Sequence, residues 1–278
     1  MNHTLNCKGH LISLEHPLVM GILNVTEDSF YDGGRYFGDE KKYLSRVEQL
    51  LNEGADIIDI GVMSTRPNAI ELPEEEELKR VKEVISSVVK HFPKIILSVD
   101  TWRANVARLA VDMGASIIND ISGGEFDPQM FPTVASLKVP YILMHTSGKP
   151  EVMQQKTVYE NVVNDVFYYL SQRLQALNAL NVSDVLIDVG FGFGKTIDQN
   201  YDLLRNLQTF QLLDCPLVLA LSRKTMFWKL LNTSPEEALY ATLAAESYAL
   251  LQGVNILRVH DVKATKDIIK IIKKIKEN

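Results

Sequence analysis

Cysteine is scarce in this chain: 278 residues hold two, Cys7 and Cys215, far apart and in no zinc or redox spacing. They read as reduced thiols of a cytoplasmic protein, with a structural role. Positive charge is in deficit too. Lys and Arg number 29 against 35 Asp and Glu, a net charge of −6, and the pI is near 5.6. That balance argues against a general nucleic-acid partner or a membrane-surface partner, so any anion site must be a local concentration of base. No apolar run is long enough to span a bilayer. Met1 to Pro17 is broken by His3, Asn6, Lys8, His10, Glu15 and His16, so it lacks the apolar core of a signal peptide. The histidines show no paired spacing, which argues against a transition-metal site, and no Gly-x-Ser-x-Gly elbow marks a serine hydrolase.

What is present is 46% hydrophobic and 23% charged, the composition of a soluble globular protein with a large core. Short apolar runs with β-branched members recur along the chain, and each ends in a polar residue. Leu18 to Leu23 stops at Asn24, Ile57 to Ile60 runs into Gly61, and Ile95 to Val99 ends at Asp100. Ile117-Ile118 ends at Asn119, Tyr141 to Met144 at His145, and Leu186-Ile187 at Asp188. Leu217 to Leu221 ends at Ser222-Arg223-Lys224, and Ile256 to Val259 at His260. Such runs suit strands buried on both faces. Helical spacing lies between them: Tyr43 to Leu51, Leu78 to Val88, Val106 to Met113, a longest helix over Val158–Leu180, and an alanine-rich helix from Pro235 to about Gln252.

Eight strand-helix units in this length predict a single (β/α)8 TIM barrel over residues 1–278. The runner-up, a doubly wound open sheet, would carry Gly-x-Gly-x-x-Gly after its first strand, and that motif is missing. In a barrel the loops after the strands share one face, so Asn24, Asp59, Thr65, Arg66, Asp100, Asn119, His145, Asp188, Lys224, Arg258 and His260 converge there. The set divides by charge. Thr65, Arg66, Arg258 and His260 suit a phosphate or diphosphate, with Asn24 as an oxygen ligand for a bridging magnesium ion. Asp100, Asn119, Asp188 and Lys224 suit the edge of a planar nitrogen heterocycle. The stretch Leu186 to Lys195, three glycines interleaved with Phe191 and Phe193, offers aromatic faces beside them.

The motifs MGILNVTEDSFYDGG, DIGVMSTRP, SVDT, IND, DVGFGFGK, SRK and RVHD, in this order, resemble the signature of bacterial dihydropteroate synthases from Leu18 to the last helix. The resemblance implies a transferase of folate biosynthesis that joins 4-aminobenzoate to 6-hydroxymethyl-7,8-dihydropterin diphosphate. It releases diphosphate and 7,8-dihydropteroate by a dissociative route. It places the pterin on Asp100, Asn119, Met144, Asp188 and Lys224, and the diphosphate with Mg²⁺ on Asn24, Thr65, Arg66, Arg258 and His260. Aminobenzoate falls to Phe30, Pro67, Phe193 and Thr225, with Asp32 in the first of two loops expected to be mobile. Asp100, Asp188, Lys224 and Asp32 are the expected catalytic set. A homodimer through the late helices and sulfonamide sensitivity are implied as well. The family pattern has Pro where Glu27 and Val189 stand, and Gly and Glu where Val62 and Met63 stand. Two alternatives share the barrel: a pterin-binding methyltransferase domain and a non-catalytic pterin-binding relative.

Overall fold

The computed structural model describes residues 4–26, 38–64 and 71–277. A two-stranded antiparallel hairpin, β1 (Thr4–Cys7) and β2 (His10–Ser13), comes first. Eight parallel strands follow: β3 (Leu18–Asn24), β4 (Ile57–Gly61), β5 (Leu97–Asp100), β6 (Ile117–Asp120), β7 (Tyr141–Met144), β8 (Val185–Asp188), β9 (Leu217–Leu219) and β10 (Ile256–Val259). They close into a barrel in which β10 pairs with both β9 and β3. Helices α1 (Glu40–Asn52), α2 (Glu74–His91), α3 (Ala104–Asp112), α4 (Met130–Leu137) and α5 (Val162–Ala179) lie in the first five connections. Then come α6 (Ile197–Arg205), α7 (Leu207–Phe210), α8 (Thr225–Leu230), α9 (Leu239–Leu251) and α10 (Val262–Lys276). This is the expected (β/α)8 architecture. Among the described residues no helix is long and apolar enough to cross a membrane.

Strand parity builds two cores. Outward residues such as Val19, Leu23, Ile58, Ile60, Val99, Leu143 and Ile187 are buried against the helices. Inward residues Met20, Ile57, Ile117, Ile142, Leu186, Val218 and Ile256 fill the lower barrel, and Leu5, Cys7 and Leu14 of the hairpin region join them as a plug. Hairpin backbone is tied down by the Asn6 N–H donating to Asp184 Oδ2 at 3.1 Å, and by Lys8 Nζ donating to the Val111 carbonyl at 2.7 Å.

Several boundaries differ from the sequence reading. The helix expected over Val158–Leu180 starts at Val162, because Asn161 caps it by accepting from the Asn164 N–H, and Val158 is 95% exposed. The strands expected at Ile95 and through Leu221 are trimmed to Leu97–Asp100 and Leu217–Leu219. Pro235 opens a 3₁₀ turn, with a Ser234/Glu237 capping box, ahead of the separate helix α9.

Leu5 is 2% exposed at the end of the barrel opposite the polar strand ends. Leu5→Ala is expected to lower unfolding free energy by ~2–5 kcal/mol, measured by urea titration. A change well under 1 kcal/mol would mean the hairpin is not part of the core.

Candidate active site

One inward position beyond the apolar layer, the same parity delivers polar side chains. Ile57 is followed by Asp59, Ser98 by Asp100, Ile117 by Asn119, Ile142 by Met144, Leu186 by Asp188 and Ile256 by Arg258. Strand register sets Asn24 beside Gly61, Gly61 beside Asp100, Asp100 beside Asn119, and Met144 beside Asp188. The predicted strand-end residues of the described segments, His145 excepted, therefore ring one mouth.

Arg258 is the hub. Its Nε donates to Asp59 Oδ2 at 2.6 Å and its Nη2 to Asp100 Oδ2 at 3.0 Å, while Asn119 Nδ2 donates to the same Asp59 oxygen at 3.1 Å. The expected separation of an anion clamp from a heterocycle edge is thus corrected: Arg258 joins the two sets, because a buried carboxylate needs a cation or donors in direct contact. Asp59, fully buried, is a site residue that the sequence placed at the mouth but gave no role. Three oxygens here, Asp59 Oδ1, Ser98 Oγ and Asp100 Oδ1, are buried with no hydrogen-bond partner, so acceptor capacity is left over for a ligand's N–H groups.

Burial dominates the titration of the site. It pushes Asp100 up to about 7 against the pull of Arg258, and raises Asp188, whose Oδ1 accepts from the Gly190 N–H at 2.8 Å and which faces Lys224. Lys224 is pushed down to about 8 by burial, with Asp188 opposing. For Arg258, burial acts downward but Asp59 and Asp100 outweigh it and hold the guanidinium above its ordinary value. His260 is pushed down to about 3 by burial and by Arg258. Its Nδ1 lies 3.1 Å from Ser222 Oγ, and its carbonyl accepts from Arg46 Nη2 at 2.8 Å.

An apolar wall faces the acids. Met63, Trp102, Ile121 and Met144 form a buried cluster against which Leu72, Phe126 and Phe193 pack. Trp102 meets Phe126 edge-on at 5.7 Å, and Lys224 Nζ stands 4.8 Å from the Phe193 ring centre while donating to the Phe191 carbonyl. Thr225, exposed, begins α8 directly after Lys224. Phe30, Asp32, Thr65, Arg66 and Pro67 lie outside the described residues, as does Glu27. Val62 and Met63, expected in a mobile loop, are both buried, Val62 in the outer core and Met63 in this wall. Trp102 was not foreseen, since a lone Trp after a strand has no periodic signal. His145 points away from this set, to Lys195, whose Nζ is 2.9 Å from His145 Nδ1.

For a magnesium ion the donor set is small. A Cβ built on Gly61 would meet Asn24 Oδ1 at 3.2 Å and Asp100 Oδ2 at 3.8 Å, so glycine keeps open a gap flanked by two hard oxygens. Among the described residues no group of three His, Cys, Asp or Glu could hold a metal. This fits Mg²⁺ carried largely by substrate phosphates and does not fit an all-protein cage.

Fold and site together are those of a barrel enzyme whose mouth combines buried acids with an apolar wall. The model of the pterin binding enzyme family matches residues 20–260. A dihydropteroate synthase of Haemophilus influenzae is 43% identical over 262 residues, covering 94% of each chain. The Xanthomonas albilineans dihydropteroate synthase solved with 4-aminobenzoic acid superposes with a TM-score of 0.92 at 38% identity over the whole of both chains. The Yersinia pestis enzyme, solved as a sulfonamide drug complex, gives 0.94 at 37% identity over 99% of each. The chain belongs to the dihydropteroate synthase family of pterin-binding enzymes.

Asp59→Ala removes one partner of a buried ion pair, so it is expected to cost ~3 kcal/mol of stability or more, read by chemical denaturation. A neutral result would show that Asp100 alone suffices for Arg258.

Proposed function

We propose that this chain condenses 6-hydroxymethyl-7,8-dihydropterin diphosphate with 4-aminobenzoate, giving 7,8-dihydropteroate and diphosphate. The observation that carries the reading is the mouth itself, where Asp59 and Asp100 keep unpaired oxygens beside Arg258, Asp188 stands by Lys224, and the cluster of Met144 and Phe193 lies next to them. The pterin ring lies against that wall, its N–H edge donating to Asp188 and Asp100 and to the Asn119 amide oxygen, and Lys224 donates to a ring acceptor. Its hydroxymethyl carbon then points toward Arg258.

The bond from that carbon to the diphosphate oxygen breaks first, and the electron pair leaves with diphosphate. Thr65 and Arg66, with Arg258 and the His260 imidazole, are assigned to the departing group. A magnesium ion held by Asn24 and phosphate oxygens would neutralise part of the charge gathering on that group. Asp100 and Asp188 face the pterin methylene cation, so their negative charge acts where positive charge develops. Phe30, Pro67, Phe193 and Thr225 hold 4-aminobenzoate. Its nitrogen attacks the cation and then releases a proton, with Asp32 assigned to this step. The same subsite is the one we assign to sulfonamides.

A homodimer is part of the reading. Tyr240, Tyr248 and Leu251 of α9 and Ile271 and Ile275 of α10 are large apolar side chains that stand exposed on neighbouring helices. A cytoplasmic location agrees with two free thiols.

The test measures diphosphate release with Mg²⁺, with and without 4-aminobenzoate, alongside dihydropteroate. Stoichiometric product is expected, and Lys224→Ala should lower kcat/KM for the pterin substrate ~10²-fold or more. Pterin binding without product would overturn the assignment. The pH profile is a second check. Asp100 must be ionised and Lys224 protonated, so kcat/KM should fall below about 7 and above about 8. A flat profile from 6 to 9 would remove these two groups from the rate-determining charge balance.

A further inference from the structure

We propose that Lys195 is a positioning residue: its buried amino group pins the loop after β8 to the end of β7, and so presents the Phe191 carbonyl and the Phe193 ring to Lys224. This rests on the site reading above, in which Lys224 and Phe193 touch the substrates. Lys195 closes the DVGFGFGK motif and His145 follows strand β7 directly, yet neither has a part in the reaction above.

The loop from Gly190 to Gly194 has left the barrel ladder, so its carbonyls need other donors. Side chains take all five. Lys195 Nζ donates to Gly190 O at 2.8 Å and Phe193 O at 3.0 Å, Gln154 Nε2 to Gly192 O at 2.7 Å, and Tyr159 OH to Gly194 O at 3.0 Å. Phe191 O is the carbonyl that Lys224 Nζ takes. Lys195 thus holds the carbonyls on either side of Phe191 and Gly192. A Cβ on Gly190, which has φ of 71°, would overlap the His145 carbonyl oxygen, so glycine is what lets the loop press against β7.

The third contact of Lys195 Nζ is His145 Nδ1 at 2.9 Å. Nζ also lies 3.4 Å from the His145 carbonyl oxygen, and burial pushes Lys195 well below its ordinary value, so between the amino group and Nδ1 either partner can donate, depending on which of them carries the proton. Burial, then Lys195, push His145 down to about 2, so the ring is held beside Nζ as a neutral imidazole. The ring is fixed edge-on to Tyr169 at 4.8 Å and tilted against Tyr159 at 6.0 Å. Lys195 is 5% exposed, so the pin is inside the fold and touches no substrate.

The experiment compares Lys195→Met, His145→Leu and His145→Gln in the full chain. It reads KM for both substrates, and pterin binding by quenching of Trp102 fluorescence with 6-hydroxymethylpterin. Lys195→Met and His145→Leu are expected to raise KM for both substrates and the quench midpoint by about 10-fold, since a small misplacement of binding groups has a large effect. His145→Gln, whose amide oxygen can accept from Lys195, should stay within about 3-fold of wild type. A fall in melting temperature with KM and quench midpoint within about 2-fold of wild type would overturn the proposal and leave Lys195 a stabilising residue. Should Lys195→Met fail to fold, the contrast between the two His145 variants decides. Should wild type bind pterin without turnover, the reaction reading fails while the quench comparison still tests the pin.

Discussion

The mouth of this barrel can be acidic because Arg258 bridges Asp59 and Asp100. Carboxylates packed at one end of a buried barrel repel each other and lose their hydration, and either effect alone would drive protons onto them. A guanidinium answers both, since it remains charged under any physiological condition and its planar fork reaches two acceptors at once. A lysine would bond through one nitrogen and could shed its proton. Lys224 beside Asp188 is that weaker arrangement, with its ordinary value pushed down to about 8. Among the described residues the site therefore pairs a permanent cation, Arg258, with Asp59 and Asp100, and a cation that titrates, Lys224, with Asp188.

Strand parity explains how much of this was legible beforehand. A strand buried on both faces reads as an unbroken apolar run, and the polar residue closing it falls two positions beyond an inward one, as Asp188 follows Leu186. Fold, mouth and most site residues follow from that rule. Pairing does not, because Arg258 finds Asp59 across 199 residues of chain, and so the anion and heterocycle sets looked separate. The N-terminal hairpin was missed because only its first strand buries residues, Leu5 and Cys7 in alternation, inside a stretch whose polar members read as a break. Helices α4 and α8 have eight and six residues, too few turns for a 3.6-residue period to stand out.

The departures from the family pattern at Val62 and Met63 acquire a physical meaning in the structure. Both follow β4 directly and both are buried, in different places. Val62 packs outward with the strand-helix core, and Met63 packs into the wall with Trp102, Ile121 and Met144. An apolar residue in each environment is self-consistent: a glutamate at 63 would need a donor among those neighbours, whereas a thioether fills an irregular apolar gap without one. The altered residues are thus absorbed by packing, Val62 in the outer core and Met63 in the apolar wall. The residues assigned to aminobenzoate on the first loop are a separate matter, since they lie elsewhere in the chain.

Positioning in this site also runs against the usual division between a rigid scaffold and free loops. The loop after β8 has glycines where its backbone must turn, and glycine alone would leave it many conformations. Its rigidity comes instead from side chains of other segments: Gln154 and Tyr159 after β7, Asn200 of α6, which accepts from the Gly192 N–H at 2.7 Å, and Lys195. Each contact satisfies a backbone group that the barrel ladder no longer serves. A loop held in this way can set the Lys224 cation against the Phe193 face, 4.8 Å from its centre, while the glycines between its aromatics leave the backbone open to close approach.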